Sequence, residues 1–287
     1  MSDTIASYQP QMTQAGLAPT HAVQAMDEYG ALREVAIAGE RPLTLYLDKR
    51  EIVTLMTLGS HPEALAIGYL RNQGLIRDLQ QIKAVQVDWD VESVVVTSFD
   101  GTAGSSAKLD KRTVTTGCGQ GTVFGDVMDQ LERIRLPKRS YQQSLIYNLL
   151  TNITAYNDVY KAAGAVHGCA LCQGTDILEF VEDVGRHNAV DAIAGLMWLN
   201  NINGDDKIFY TTGRLTSEMV IKVAQIGVPL LLSRSGLTQM GLEMARLTGV
   251  TLIGRAKGRH FLIYHGADSI ELDAIPPARP ERAGRDA

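Results

Sequence analysis

Cysteine is scarce in this chain, with three among 287 residues: Cys118, Cys169 and Cys172. A small, odd number argues against a disulfide framework and for a reducing cytoplasm, where each thiol is buried filler or a chemical group. No apolar run is long enough to span a bilayer. Met1 to Tyr29 lacks the basic and apolar regions of a signal peptide. No internal repeat is visible. Positive charge is not in excess either, because the formal net charge is -5. The whole molecule is therefore no polyanion binder, although a local basic patch could hold a nucleotide or an anionic cofactor. Neither nucleic acid nor a membrane is expected as a partner. Hydrophobic residues at 45% and charged residues at 21% are an ordinary globular balance, and the length suits one large or two modest domains.

Four segments are expected. Residues 1–29 are polar and without a sustained period, and read as a mobile arm. Residues 30–137 read as a smaller α+β domain. Leu43 to Leu47 alternates as a strand, Asp48-Lys49-Arg50 turns the chain, and Glu51 to Leu55 returns. A helix follows, with Ser60 and Glu63 at capping-box spacing, Pro62 in its first turn and Gly74 as its stop. Val85 to Val87 and Val91 to Ser98 read as further strands. Residues 138–274 read as an α/β domain, and 275–287 as a disordered tail. Ser140 to Gly164 carries the longest helical pattern. Strands are then expected at Ile177–Val181, Lys207–Thr211, Val228–Leu232, Val250–Ile253 and Phe261–Tyr264. Helices separate most of them. That alternation implies a mostly parallel sheet with helices on both faces, and ligands collect where such strands deliver their C-terminal ends.

Those ends are polar. Glu182-Asp183-Val184-Gly185-Arg186-His187 could let Asp183 orient His187 while Arg186 meets a phosphate at a helix N-terminus. Its plain reading is an N-cap network with a salt bridge. Thr212-Gly213-Arg214 and Ser233-Arg234-Ser235-Gly236 could bind phosphate or simply start capped helices. The sharpest local feature is Thr115-Thr116-Gly117-Cys118-Gly119-Gln120-Gly121. Glycine on both sides leaves the Cys118 thiol little cover, so a loop can present it for reaction; a tight turn with an incidental cysteine is the other reading. The dinucleotide fingerprint fails there, because position 122 is Thr, and no Lys-Ser or Lys-Thr pair makes a Walker loop. His167-Gly168-Cys169-Ala170-Leu171-Cys172 holds a C-x-x-C spacing that serves zinc, redox exchange or nothing. A strand with small buried cysteines is the favoured reading for Cys169 and an even one for Cys172. No His-x-Glu stands upstream to complete a zinc deaminase, so no metal site is expected.

Taken in order, these segments resemble the FdhD family from Arg41-Pro42-Leu43-Thr44 to about Gly266. The carriers are Pro62 to Leu70, Glu182 to Asp191, Ser217-Glu218-Met219-Val220 after Gly213-Arg214, and Gly254-Arg255-Ala256 before Phe261. The resemblance implies a sulfurtransferase whose Cys118 holds a persulfide. Sulfur would come from a cysteine desulfurase and pass to molybdenum bis-molybdopterin guanine dinucleotide before insertion into formate dehydrogenase. It also implies a C-terminal cytidine deaminase-like fold without zinc. Phe261, Leu262, Ile263, Tyr264, His265 and Gly266 match the family's cofactor-contact strand. Arg186, His187, Gly213, Arg214 and Ser235 are added as cofactor-binding candidates from the strand ends. Guanine nucleotides such as GDP are expected to bind there as fragments of the cofactor. A homodimer is expected from the family and from a ligand with two guanine ends. One departure matters: many relatives carry a second loop cysteine where this chain has Gly121. A two-thiol relay within the loop is therefore excluded, whereas a persulfide on Cys118 needs one thiol. The competing reading is a cofactor-binding chaperone that moves no sulfur.

Overall fold

The computed structural model describes residues 8–101, 131 and 134–276. Cys118 and the expected tail beyond residue 276 lie outside the described residues.

The N-terminal layer starts with β1 (Gln11–Met12) and a hairpin of β2 (Thr20–Met26) and β3 (Leu32–Ala38). Next come β4 (Arg41–Leu47), β5 (Arg50–Thr57), α1 (Pro62–Asn72), β6 (Ile82–Asp88) and β7 (Ser93–Ser98). Five of these strands form one sheet in the order β1-β6-β7-β4-β5. The alternation in β4 buries Leu43, Leu45 and Leu47 against α1 and leaves Thr44 and Tyr46 half-buried on the other side. The expected β4–β5 turn forms, and Asp48 takes a left-handed φ of 54° that a short polar side chain tolerates.

Two expectations fail here for one reason. The Ser60/Glu63 capping box does not form, because the Glu63 carboxylate accepts from Thr13 Oγ1 (2.8 Å) and Ala15 N (2.7 Å) instead. Residues 1–29 are correspondingly not all arm. β1 pairs with β6, and Trp89 Nε1 donates to Ala15 O at 2.7 Å. A buried carboxylate needs donors, and the polar segment supplies them, which its lack of periodicity did not reveal.

The second layer begins with β8 (Tyr141–Gln142), α2 (Gln143–Ile153) and α3 (Asp158–Ala163). The single helix expected over 140–164 is therefore broken. Glu182 explains the restart: its carboxylate accepts from Val159 N and Tyr160 N, both at 2.9 Å, and so caps α3 from a neighbouring strand. Then follow β9 (His167–Gln173), β10 (Asp176–Asp183), α4 (Arg186–Leu199), β11 (Ile208–Thr211), α5 (Ser217–Gln225), β12 (Leu230–Ser233), α6 (Gln239–Thr248), β13 (Thr251–Lys257), β14 (His260–His265) and β15 (Ile270–Glu271).

The six-stranded sheet has the order β10-β9-β11-β12-β13-β14. It is mixed, and this corrects the mostly parallel expectation. Only β11–β12 and β12–β13 are parallel; β10–β9, β9–β11 and β13–β14 are antiparallel. Two-residue turns at Gly174-Thr175 and Gly258-Arg259, with φ +58 at each glycine, join β9 to β10 and β13 to β14. Links that short permit only antiparallel pairing. Helices do cover both faces: α2 packs on Cys172, Ile208, Tyr210 and Leu232, while α4 and α5 pack on Cys169, Leu171 and Phe209.

One continuous apolar cluster joins the two layers through α1 and α4. α4 is buried almost all round, as a helix clamped between layers must be. The two helices touch through glycines. A β-carbon on Gly68 would lie 1.7 Å from Asp191 O, and one on Gly195 would lie 2.0 Å from Ala64 O. Either alanine would have to push the backbones apart. Polar staples add to the contact: Asn72 Nδ2 donates to Asp191 Oδ1 (2.7 Å), and Arg71 Nη1 donates to Ala194 O (2.8 Å).

Candidate functional site

The strand ends that were expected to hold phosphate meet at the C-terminal side of β10, β11 and β12. Asp183 is buried and accepts four hydrogen bonds, from Thr57 Oγ1 (2.5 Å), Leu58 N (3.1 Å), Gly185 N (2.9 Å) and Asn188 Nδ2 (2.8 Å). Burial still raises its pKa. Asp183 thus pins the N-terminal layer to the start of α4, and it does not orient His187. Glu218 is the carboxylate beside that ring, with its Oε2 3.1 Å from His187 Nδ1. Glu218 also lies 3.6 Å from Lys222, and Lys222 bonds buried Asp191 at 2.8 Å. Burial opposes charge on Lys222, but Asp191 and Glu218 outweigh it and raise its pKa.

The two turns beyond β11 and β12 use their own hydroxyls. Gly213 N donates to Thr211 Oγ1 (3.1 Å), Ser235 N donates to Ser233 Oγ (2.9 Å), and Ser233 Oγ donates to Gly213 O (2.7 Å). Arg186 is buried with its stem against Gly213, where a β-carbon would lie 2.7 Å from Arg186 Cδ. Arg214 is exposed, and Arg234 lies over the Tyr160 ring at 5.6 Å. His167 joins this group, since β9 pairs with β11 so that Cys169 opposes Thr211 and His167 reaches the level of Gly213. Burial, then the charges of Arg186 and Arg214, lower the His167 pKa, so the imidazole is neutral at neutral pH. Sequence reading left His167 out of the site, although its place two residues before Cys169 on one strand was a usable signal.

The strand expected to contact a cofactor, Phe261 to Gly266, does not face one surface throughout. β14 runs antiparallel to β13, pairing Leu262 with Gly254 and His265 with Leu252. Phe261 packs on Tyr147 of α2, with ring centroids 5.6 Å apart, and Ile263 joins the same apolar cluster. Leu262 is exposed. The Tyr264 ring lies over Gly254, beside Ser235 O. His265 and Gly266 instead reach the opposite end, where β12 and β13 begin. There a cleft of about 670 Å³ is lined by Arg135, Lys138, Arg139 and Arg246, with Tyr141, His265, Gly266 and Asp268. Its size suits one nucleotide-like ligand. His265 Nδ1 donates to Val250 O at 2.8 Å, so only Nε2 is left to meet a ligand. Gly266 has φ +75, and a β-carbon there would lie 2.6 Å from Thr251 Oγ1. The Tyr141 hydroxyl is buried and has no hydrogen-bond partner among the described residues. Sequence reading missed all four cations, because they come from a segment before β8 and from the end of α6.

The C-x-x-C pair is neither a chelate nor a redox couple. Residues three apart on a strand face opposite ways, and Cys169 packs on the α4 side while Cys172 packs on the α2 side. Both are fully buried, and desolvation pushes both thiols up to about 12. Cys169 Sγ has Thr211 Oγ1 at 3.3 Å. Among the described residues, no group of three or more His, Cys, Asp or Glu could hold a metal ion. No helix of the described residues is long and apolar enough to cross a membrane.

Comparison with known proteins places this arrangement. The model of the FdhD/NarQ family matches residues 38–271. A sulfur carrier protein FdhD of Bacillus subtilis is 32% identical over 228 residues, covering 78% of this chain and 86% of its own. One of Listeria monocytogenes is 28% identical over 248 residues, covering 85% and 95%. A crystal structure from Desulfotalea psychrophila, described as a formate dehydrogenase accessory protein, superposes with a TM-score of 0.70 at 26% identity. It covers 88% of this chain and 98% of its own.

Proposed function

The chain belongs to the FdhD/NarQ family, and on that premise we propose that it carries sulfur on Cys118 for the maturation of formate dehydrogenase. The Cys118 thiolate attacks the outer sulfur of a cysteine desulfurase persulfide. The donor's S–S bond breaks, the desulfurase cysteine leaves as thiolate, and Cys118 holds the sulfur as its own persulfide. The Cys118 S–S bond then breaks, Cys118 leaves as thiolate, and the outer sulfur passes to molybdenum bis-molybdopterin guanine dinucleotide before that cofactor enters the enzyme. The observation that carries this reading is the burial of the other two cysteines. Thiols at about 12 are not thiolates at neutral pH. Of three cysteines, only Cys118 is left for the chemistry.

The cofactor docks with its phosphates in the basic cleft. Arg135, Arg139 and Arg246 supply charge, and the Tyr141 hydroxyl supplies a donor that has no partner among the described residues. Within the family-matched strand this assigns contact to His265 and Gly266, while Phe261 and Ile263 hold the sheet to α2. A chaperone that binds the same cofactor without moving sulfur draws on the same cleft, and the two readings separate at Cys118. Incubation with a cysteine desulfurase and cysteine, followed by mass spectrometry, is expected to add one sulfur to Cys118. Cys118→Ala is expected to abolish formate dehydrogenase activation. Sulfur found only on Cys169 or Cys172 would overturn the assignment. Full activation by Cys118→Ala would choose the chaperone.

A further inference from the structure

Tyr141 lines the basic cleft and is 8% exposed, yet its hydroxyl meets no hydrogen-bond partner among the described residues. A buried hydroxyl without a partner is costly, and the side chain must be held there or it turns toward water. β8 is a weak hold by itself. It has two residues and pairs with the equally short β15, through Ile270↔Tyr141 and Glu271↔Gln142. An isolated two-stranded pairing is marginal in water.

A second tie comes from the chain beyond β15. Gly266, Asp268 and Ser269 form part of the cleft wall. The same segment runs through a 3-10 turn at Ala267–Ser269 into β15 and on to Asp273. There Asp273 Oδ1 accepts from Ser144 N (2.9 Å), and Oδ2 accepts from Ser144 Oγ (2.5 Å). α2 begins at Gln143, and the side chain of Gln142 before it makes no capping bond. A helix start has N–H groups to satisfy and carries partial positive charge, so a carboxylate suits it. The bonds from Ser144 hold the Asp273 carboxyl below its usual range, so it is ionised at neutral pH. Asp273 thus joins the cleft wall that follows β14 to the wall that carries Tyr141. It stands just beyond residue 271, where the family match ends.

We propose that Asp273 is a positioning residue for the cleft. By capping α2 it fixes β8 so that the Tyr141 hydroxyl donates to a phosphate oxygen of the ligand. This rests on the reading of the cleft as the cofactor's phosphate site. Burial pushes the Tyr141 phenol up to about 12, which keeps it a donor at neutral pH. Asp273 is exposed and does not itself line the cleft. Its effect therefore reaches the ligand through Tyr141.

The test is a double-mutant cycle on the full chain, with GDP affinity read by calorimetry and the melting temperature beside it. Tyr141→Phe is expected to weaken GDP binding about tenfold, the loss of one hydrogen bond to a charged group. Asp273→Ala is expected to weaken it about fivefold, the scale of a lost cap. Its melting temperature should fall by less than about 4 °C. In the Tyr141→Phe background the same change should alter affinity less than about twofold, because no hydroxyl is left to position. Asp273→Asn keeps an acceptor for Ser144 N and is expected to return affinity to within about twofold of wild type. Wild-type affinity in Asp273→Ala, or the same loss in both backgrounds, would overturn the proposal. Wild-type affinity in Tyr141→Phe would instead refute phosphate docking at this hydroxyl, and the proposal with it. Ser144→Ala covers the case in which Asp273→Ala does not fold, since it cuts one of the two bonds from the helix side. It is expected to cost about twofold in the wild-type background and nothing in Tyr141→Phe. No loss, or an equal loss in both, would sink the positioning role.

Discussion

The two ends of the six-stranded sheet are both rich in polar groups, but they use them differently. At the C-terminal end of β10, β11 and β12, Asp183, Thr211 and Ser233 satisfy the neighbouring N–H groups, and Arg186 is folded down onto Gly213. At the other end, Arg135, Lys138, Arg139 and Arg246 line an open cleft. A motif dense in functional residue types can thus be a self-contained clasp. Charges gathered from distant segments can make a binding site that no single motif announces.

The largest expected effect lies at the first end. Asp183→Ala removes the acceptor for four donors, three of them buried, and should cost about 3–5 kcal/mol, since orphaned donors lose both partner and solvent. Chemical denaturation measures this loss. GDP affinity of the surviving folded protein should stay within about twofold if the clasp is separate from the cleft. A large loss of affinity would merge the two ends into one site.

The second comparison sets arginine against arginine. Arg135→Ala, Arg139→Ala or Arg246→Ala should each weaken GDP binding about tenfold, or ~1.4 kcal/mol, with the loss shrinking at high salt. Arg214→Ala should change it little. If calorimetry gives the opposite order, the nucleotide docks at the C-terminal strand ends.

Most of the second layer was legible. The strands at β10, β11 and β12 and the helices α4, α5 and α6 fall where apolar periodicity and glycine stops put them, because those signals are local. The restart at α3 was not, because its cap is the carboxylate of Glu182, more than twenty residues away. Nor was the tie from Glu63 to Thr13, for the same reason.

A smaller effect separates the two cysteines. Serine at 169 keeps a partner in Thr211 Oγ1, whereas serine at 172 is buried among Ile208, Leu230 and Ile253. Cys172→Ser should therefore cost about 1–2 kcal/mol more than Cys169→Ser by denaturant titration. Equal costs would mean that the two faces of β9 do not differ as described.

The smallest effect is in pH. Burial lowers the His167 pKa below its ordinary value near 6.5. The unfolded chain therefore binds this proton more readily. Its contribution to stability is fully present above pH 6.5 and is lost as pH falls from there toward the folded value. His167→Gln should flatten the fall in melting temperature between pH 7.5 and 5.5. A variant that melts with the wild-type pH slope would mean that burial does not depress the His167 imidazole.

By itself the sequence determined most of the strands and helices of the second layer, that Cys118 is the odd thiol flanked by glycine, and which family the motifs resemble. Those follow from side-chain period, turn residues and motif order, all readable along the chain. Only the tertiary structure decided that Cys169 and Cys172 face opposite layers. It also decided that β14 runs antiparallel, which brings His265 to the basic cleft while the Tyr264 ring lies over Gly254, and that four cations share one cleft. Strand direction and charge clustering depend on which distant segments pair, and two-residue turns and buried staples settle that choice in space.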